Sequence, residues 1–185
     1  MPDRHDWRDA PITIADIGTG SGILIITLLC ELPRARGIAT DVSTAALDVA
    51  RRNARLMGIA DDRLTFVEGR GLGGQSGGRG GGEKVDLIVS NPPYIPTAEI
   101  QTLETGVKLF DPLVALDGGV DGLEIYREIA SEISALYGSV RVAVEVGAAQ
   151  ADDVAAIFEK AGGRNWVRRQ DLGSHFRVVA FEIQR

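Results

Sequence analysis

Asn91-Pro92-Pro93-Tyr94 follows directly on the apolar run Val85-Asp86-Leu87-Ile88-Val89-Ser90. A strand that meets two consecutive prolines must stop there, because neither ring nitrogen can donate to a ladder and each proline restricts the residue before it. The turn is therefore stiff. It would hold the Asn91 side-chain oxygen and the Pro92 carbonyl as a pair of acceptors, with the Tyr94 ring as an apolar wall beside them. A planar NH2 group suits such a pair. Carboxamides and the exocyclic amines of bases are groups of that kind, poor nucleophiles that need positioning more than deprotonation. On its own the tetrapeptide also reads as a rigid turn closing a strand.

A second motif adds to it. Ile12-Thr13-Ile14-Ala15-Asp16-Ile17 reads as a buried strand, followed at once by Gly18-Thr19-Gly20-Ser21-Gly22 and the apolar stretch Ile23 to Leu29. Glycines at alternate positions allow a tight strand-to-helix turn and let a ligand lie against backbone N–H groups at the helix start. A phosphate-binding P-loop would need Gly-Lys-Ser/Thr at its end, which is missing. The dinucleotide pattern G-x-G-x-x-G/A would put a small residue at position 23, where Ile23 stands, so that reading is weakened but stays open. Asp16-x-Gly18-x-Gly20-x-Gly22 resembles motif I of the class I S-adenosylmethionine-dependent methyltransferases.

A carboxylate lies at the matching distance. Arg36-Gly37-Ile38-Ala39-Thr40-Asp41 reads as a second strand ending about 20 residues past the glycine loop, where an acid can accept from both ribose hydroxyls of a nucleoside. Asp41 could instead be a surface residue ahead of a helix, but Ser43 or Thr44 is the better cap there.

These loops need a layered scaffold, and the rest of the chain reads as one. Thr44 to Met57 is an amphipathic helix with Gly58 as its stop. Leu64 to Val67 and Val85 to Ser90 are the third and fourth strands. Leu123 to Leu136 is a helix, Val140 to Val146 a fifth strand, and Ala149 to Ala161 another helix. Segments near Trp166 to Arg169 and Phe176 to Ile183 close the chain as strands. Alternation of strand and helix implies a mostly parallel sheet covered on both faces, and the last two strands, with no long helix between them, suggest an antiparallel hairpin at one edge. The expected class is α/β: a seven-stranded Rossmann-like sheet of the class I methyltransferase plan, one domain over residues 1–185.

Composition sets bounds. With 185 residues and a net charge of −6, the chain can bury a sizeable core and has no general attraction for phosphate backbones, so nucleic acid is disfavoured. The single cysteine, Cys30, reads as a packed small hydrophobe, and the lack of a disulfide framework fits a reducing cytoplasm. No membrane span is expected. His5 and His175 stand apart from any grouping with metal-ligand spacing, so no metal is assigned.

Asp16-Ile17-Gly18-Thr19-Gly20-Ser21-Gly22, Asp41, Ser90-Asn91-Pro92-Pro93-Tyr94-Ile95, Val107 and Asp111-Pro112-Leu113-Val114-Ala115-Leu116-Asp117-Gly118-Gly119 with Asp121-Gly122-Leu123 together resemble the release-factor glutamine methyltransferases, the HemK/PrmC family. The segment from Asp111 to Leu123 separates that family from other amine methyltransferases with Asn-Pro-Pro-Tyr; by itself it is a loop with a helix start. The resemblance implies N5-methylation of the glutamine in the Gly-Gly-Gln loop of class 1 peptide-chain release factors, with S-adenosylmethionine as donor and S-adenosylhomocysteine as product. It assigns Gly18, Thr19, Gly20, Ser21 and Gly22 to the cofactor's methionine end and Asp41 to its ribose, counts Asp16 and Asn91 among the cofactor-binding residues, and gives Asn91, Pro92, Pro93 and Tyr94 to the acceptor glutamine. A monomeric cytoplasmic enzyme is expected.

Two departures accompany it. Family members usually carry an N-terminal helical domain that docks the release factor, whereas this chain starts almost at its first strand. Arg70 and Gly71 stand where the family tends to have an acid and an aromatic near the adenine, so no adenine contact is assigned. The glycine tract of residues 69–82 reads as a flexible loop, and its Gly73-Gly74-Gln75 repeats the substrate tripeptide as a coincidence of composition. Two other classes stay open: an N-methyltransferase for exocyclic amines of adenine or guanine in DNA or RNA, with Tyr94 stacking on an extruded base, and a non-catalytic module with a retained cofactor pocket.

Overall fold

The computed structural model describes residues 5–72, 84–102, 112–134, 136 and 138–184. The expectations for residues 73–82, Val107 and Asp111 lie outside these. In chain order the elements are α1 (His5–Arg8), β1 (Thr13–Ile17), α2 (Ile23–Glu31), β2 (Arg36–Asp41), α3 (Thr44–Leu56), β3 (Leu64–Glu68), β4 (Leu87–Ser90), α4 (Thr97–Ile100), a 3-10 turn (Leu113–Ala115), α5 (Glu124–Ile133), β5 (Ser139–Glu145), α6 (Ala151–Lys160), β6 (Gly163–Gln170) and β7 (Phe176–Gln184). The seven strands form one sheet in the order β3-β2-β1-β4-β5-β7-β6. The pairs β1–β2, β1–β4 and β2–β3 are parallel, and β6–β7 is the antiparallel hairpin. This is the expected seven-stranded, mostly parallel architecture.

The chain divides into two compact units, Met1–Ser90 with Leu136–Ala143 and Arg185, and Asn91–Ala135 with Val144–Gln184. In the first, α2 packs on β1, β2 and β4, and α3 on β2 and β3. The apolar runs of β1 and β2 are buried along nearly their whole length, as parallel strands covered by helices require. Ile14, Ile25, Leu29, Ala39 and Leu64 are the heart of this core. Arg63 closes the far end of α2 by donating to the carbonyls of Leu29, Leu32 and Ala35 at 2.9–3.1 Å, so the helix's unpaired C-terminal carbonyls face a fixed cation.

In the second unit α5 and α6 pack together, and α6 lies on β6 and β7. Phe158 of α6 stacks on Phe181 of β7 with ring centroids 4.9 Å apart. Tyr126, Ile129 and Ile133 recur at helical spacing along α5 and are fully buried, the inward stripe of an amphipathic helix. The hairpin strands are longer than expected, and Asn165, at φ 53°, lies between Arg164 and Val167, where the register shifts.

Cys30 corrects the sequence reading: it is exposed. Helix α2 is apolar on almost every side, so composition could not tell which side faces inward. Ile23, Thr27 and Cys30, spaced four and three residues apart, share the outer face.

Candidate functional site

Strand β1 ends at Ile17, and the chain then turns through Gly18, Gly20 and Gly22 at φ of 68°, 56° and 81°. Side chains other than glycine rarely hold that alternation. Among the described residues a Cβ at Gly18 or Gly20 would meet nothing within 4 Å, so the loop's backbone borders space that none of them fills. Gly22 is different, because a Cβ there would lie 2.8 Å from Ile26 Cδ1 and 3.1 Å from Ala50 Cβ. Close packing in this turn therefore falls on Gly22, while Ile23 is 69% exposed.

Two carboxylates tie the loop down. Asp16 is 1% exposed; its Oδ2 accepts from the Thr19 hydroxyl at 2.7 Å, and its Oδ1 is buried with no hydrogen-bond partner among the described residues. Burial pushes the Asp16 carboxyl up to about 6; the Thr19 hydroxyl and the Ile25 N–H oppose that rise, and the Asp41 carboxylate adds to it. Asp41 Oδ2 accepts from the Gly20 N–H at 2.9 Å and its Oδ1 from the Ser43 N–H at 2.8 Å. Ser43 in turn caps α3 by accepting from the Ala46 N–H at 3.2 Å, the role expected of it. Each Asp41 oxygen thus holds one backbone donor and keeps capacity for a second. The Asn53 amide adds a bond to the Ser21 carbonyl at 2.8 Å.

Parallel pairing of β1 with β4 sets Ile17 opposite Ser90, and the Ser90 hydroxyl donates to the Ile17 carbonyl at 2.7 Å. Gly18 and Asn91 are the residues that follow these two. In the strand order, β1 and β4 flank the point where the winding reverses, and open α/β sheets take ligands at the carboxyl ends of strands at such a point.

Asn91 is exposed, and its amide has no hydrogen-bond partner among the described residues; Pro92 is buried. The chain beyond them is held by a short parallel ribbon. Ile95 N–H donates to Leu116 O at 3.1 Å, Gly118 N–H to Ile95 O at 2.9 Å, and Thr97 N–H to Gly119 O at 2.9 Å. The Asp117 carboxylate accepts from the Thr97 hydroxyl at 2.7 Å and the Gly119 N–H at 3.0 Å, and the Thr97 bond above all holds its carboxyl below the usual range. A Cβ at Gly118 would lie 2.8 Å from Tyr94 Cα, and one at Gly122 would lie 2.3 Å from the Tyr94 carbonyl oxygen. The segment from Asp117 to Leu123, legible from sequence as a loop with a helix start, is thus the buttress of the Asn91–Tyr94 turn.

Hydrogen bonds join the assigned residues Asp16, Thr19, Gly20 and Asp41 into one turn. The buttress also includes a residue that the sequence reading missed, Gln150, whose Nε2 donates to Tyr94 O at 3.0 Å and Gly122 O at 3.3 Å. A lone glutamine before a helix carries no local signal of that role. Behind it Tyr126, fully buried, donates to the Glu145 carbonyl at 2.8 Å; burial above all, with Tyr94 and Glu145 nearby, pushes its phenol well up. Among the described residues no three His, Cys, Asp or Glu side chains group as a metal site, and no helix is long and apolar enough to cross a membrane.

Residues 8–110 match the methyltransferase small domain family. The release factor glutamine methyltransferase of Caulobacter vibrioides is 42% identical over 168 residues, covering 90% of this chain and 56% of that protein. The chain thus spans little more than half the length of this curated relative. A solved structure, the release factor-specific protein-(glutamine-N5) methyltransferase of Alicyclobacillus acidocaldarius, is 28% identical with a TM-score of 0.52, covering 97% of this chain and 85% of that one. The ribosomal protein L11 methylase of Lactobacillus delbrueckii subsp. bulgaricus shares the fold, with a TM-score of 0.67 at 21% identity, covering 98% of this chain and 74% of that one.

Proposed function

The chain belongs to the methyltransferase small domain family, and from that premise we propose that it methylates the side-chain amide nitrogen, N5, of the glutamine in the Gly-Gly-Gln loop of class 1 peptide-chain release factors. The observation that carries the reading is the in-register end of β1 and β4: Ile17 and Ser90 are paired, and one leads into the glycine turn while the other leads into Asn91-Pro92-Pro93-Tyr94. The identity to release factor glutamine methyltransferases supports the substrate. Such a substrate implies a cytoplasmic enzyme.

The residues present fit S-adenosylmethionine. Among the described residues nothing fills the space before Gly18 and Gly20 and nothing partners Asp16 Oδ1, a buried acceptor suited to a cationic donor such as the α-ammonium of an amino acid. Asp41, fixed by the Gly20 and Ser43 N–H groups, keeps acceptor capacity for ribose hydroxyls. When bound, the cofactor supplies a methyl group made electrophilic by its sulfonium.

The work of the chain is then orientation and charge. Asn91 Oδ1 and the Pro92 carbonyl each accept one hydrogen of the substrate carboxamide, which fixes the nitrogen for in-line attack. The same two acceptors favour the positive charge that grows on nitrogen as the new N–C bond forms. No strong base is needed beforehand, because the nitrogen is far more acidic after transfer and its proton then passes to water. Tyr94 closes one side of the acceptor site with its ring.

Mass spectrometry of a class 1 release factor incubated with the protein and S-adenosylmethionine tests the proposal. One added methyl on the Gly-Gly-Gln peptide is the expected result. Methyl transfer to RNA or DNA in parallel incubations, with none to the release factor, overturns it in favour of an exocyclic-amine enzyme.

A further inference from the structure

The Gln150 carboxamide is used at both ends. Its Nε2 donates to the carbonyls of Tyr94 and Gly122, while its Oε1 accepts from the Gly147 N–H at 3.1 Å. Its backbone is fixed as well, since its N–H donates to Gly147 O at 3.0 Å and its carbonyl accepts from the Val154 N–H at 2.9 Å in the first turn of α6. Two glycines make room for it: a Cβ at Gly122 would lie 2.7 Å from Nε2, and one at Gly147 would lie 2.6 Å from Oε1. A planar group with donor and acceptor on opposite corners meets this demand, and the bonding pattern fixes which corner is nitrogen.

We propose that Gln150 is a positioning residue for the acceptor loop: by clamping the Tyr94 carbonyl to the start of α6 it sets where Asn91 and Pro92 present their oxygens. This rests on the methyl-transfer reading above. Tyr94 is two residues from Pro92, and a displacement of the reacting groups by about 1 Å costs on the order of 10²-fold in rate.

Two variants and two readouts test it. Gln150→Leu removes both hydrogen-bonding ends, and Gln150→Glu keeps the shape but turns an ionised oxygen toward two carbonyls. In both, kcat is expected to fall by roughly 10²-fold near pH 8 while KM for the cofactor stays within about threefold. Protonation of the introduced carboxyl restores an O–H donor for Tyr94, so the activity of Gln150→Glu relative to the unsubstituted enzyme rises as the pH falls toward about 6, and that of Gln150→Leu does not. A kcat for Gln150→Leu within about twofold of the unsubstituted enzyme, or a pH-independent ratio for Gln150→Glu, overturns the assignment. Hydrogen exchange at the Ile95 and Gly118 amides needs no substrate and decides the point separately: faster exchange in Gln150→Leu supports the clamp, and unchanged exchange refutes it. If the unsubstituted protein leaves release factors unmethylated, the functional proposal fails while the exchange measurement still judges Gln150.

Discussion

The Thr19 hydroxyl donates to Asp16 Oδ2 at 2.7 Å and leaves Asp16 Oδ1 buried without a hydrogen-bond partner among the described residues. One oxygen is therefore satisfied inside the protein and the other carries an uncompensated desolvation cost. Burial of the carboxyl is the main cause that pushes it up to about 6, with the Asp41 carboxylate adding to the rise and the Thr19 hydroxyl and Ile25 N–H opposing it.

A stability test follows from the sign of that shift. The folded state binds the Asp16 proton more tightly than the unfolded chain, so the contribution is complete below about pH 4 and is lost as the pH rises through about 6. The loss amounts to about 3 kcal/mol at neutral pH, from roughly two units at 1.4 kcal/mol each. Asn at this position does not titrate. Urea unfolding of the two proteins at about pH 4 and about pH 7.5 should therefore show the stability difference moving in favour of Asp16→Asn by about 2–3 kcal/mol at the higher pH. An unchanged difference would show that Asp16 is not the group that titrates.

Cofactor binding should carry the matching signature. A cationic donor at Asp16 Oδ1 favours the carboxylate and pulls its titration back down, so binding near pH 6 releases a proton and tightens as the pH rises through that value. Calorimetry of S-adenosylmethionine binding near pH 6, in two buffers of different ionisation enthalpy, measures the released proton. Equal heats in both buffers would dissociate Asp16 from the cofactor's charge.

Much of this arrangement is legible in the sequence because it is local. Gly18, Gly20 and Gly22 announce their own turn, Ser43 sits at the start of its helix, and the two prolines after Asn91 end β4 where they must. What could not be read depends on partners distant along the chain. Asp41 is recognisable as an acid at the end of β2, but its grip on the Gly20 N–H, 21 residues away, needs the folded register. Gln150 reaches across 56 residues to Tyr94, and no period or spacing records that. Helix α2 hides its orientation for the opposite reason: with nearly every position apolar, periodicity carries no direction, and Cys30, which reads as packed, faces out.

Gly122 and Gly58 share φ of +73°, which makes them a controlled pair. Among the described residues a Cβ at Gly58 meets nothing within 4 Å, whereas one at Gly122 meets the Tyr94 carbonyl oxygen at 2.3 Å. Alanine at either position pays the left-handed backbone cost of about 1–2 kcal/mol. Only at Gly122 must the acceptor loop also move. Gly58→Ala is expected to lower stability by about that amount with kcat unchanged, and Gly122→Ala to lower stability further and cut kcat by at least about tenfold. Equal kcat in the two variants would mean that the position of Tyr94 does not govern turnover.

Asn91 carries the sharpest prediction. Its side chain is exposed and makes no hydrogen bond among the described residues, so truncation removes no contact that holds the fold. Asn91→Ala should therefore leave the melting temperature within about 2 °C and the cofactor affinity within a few fold. The same change deletes one of the two acceptors proposed to orient the substrate nitrogen and to stabilise its growing charge. Loss of one such electrostatic contact costs on the order of 10²–10³ in kcat. Single-turnover methyl transfer to a release factor isolates that step from product release. A fall in rate at unchanged stability assigns Asn91 to the reaction itself, because a merely structural residue would lose both together. A rate equal to that of the unsubstituted protein removes Asn91 from the site and with it the argument that this proline-stiffened turn receives a carboxamide.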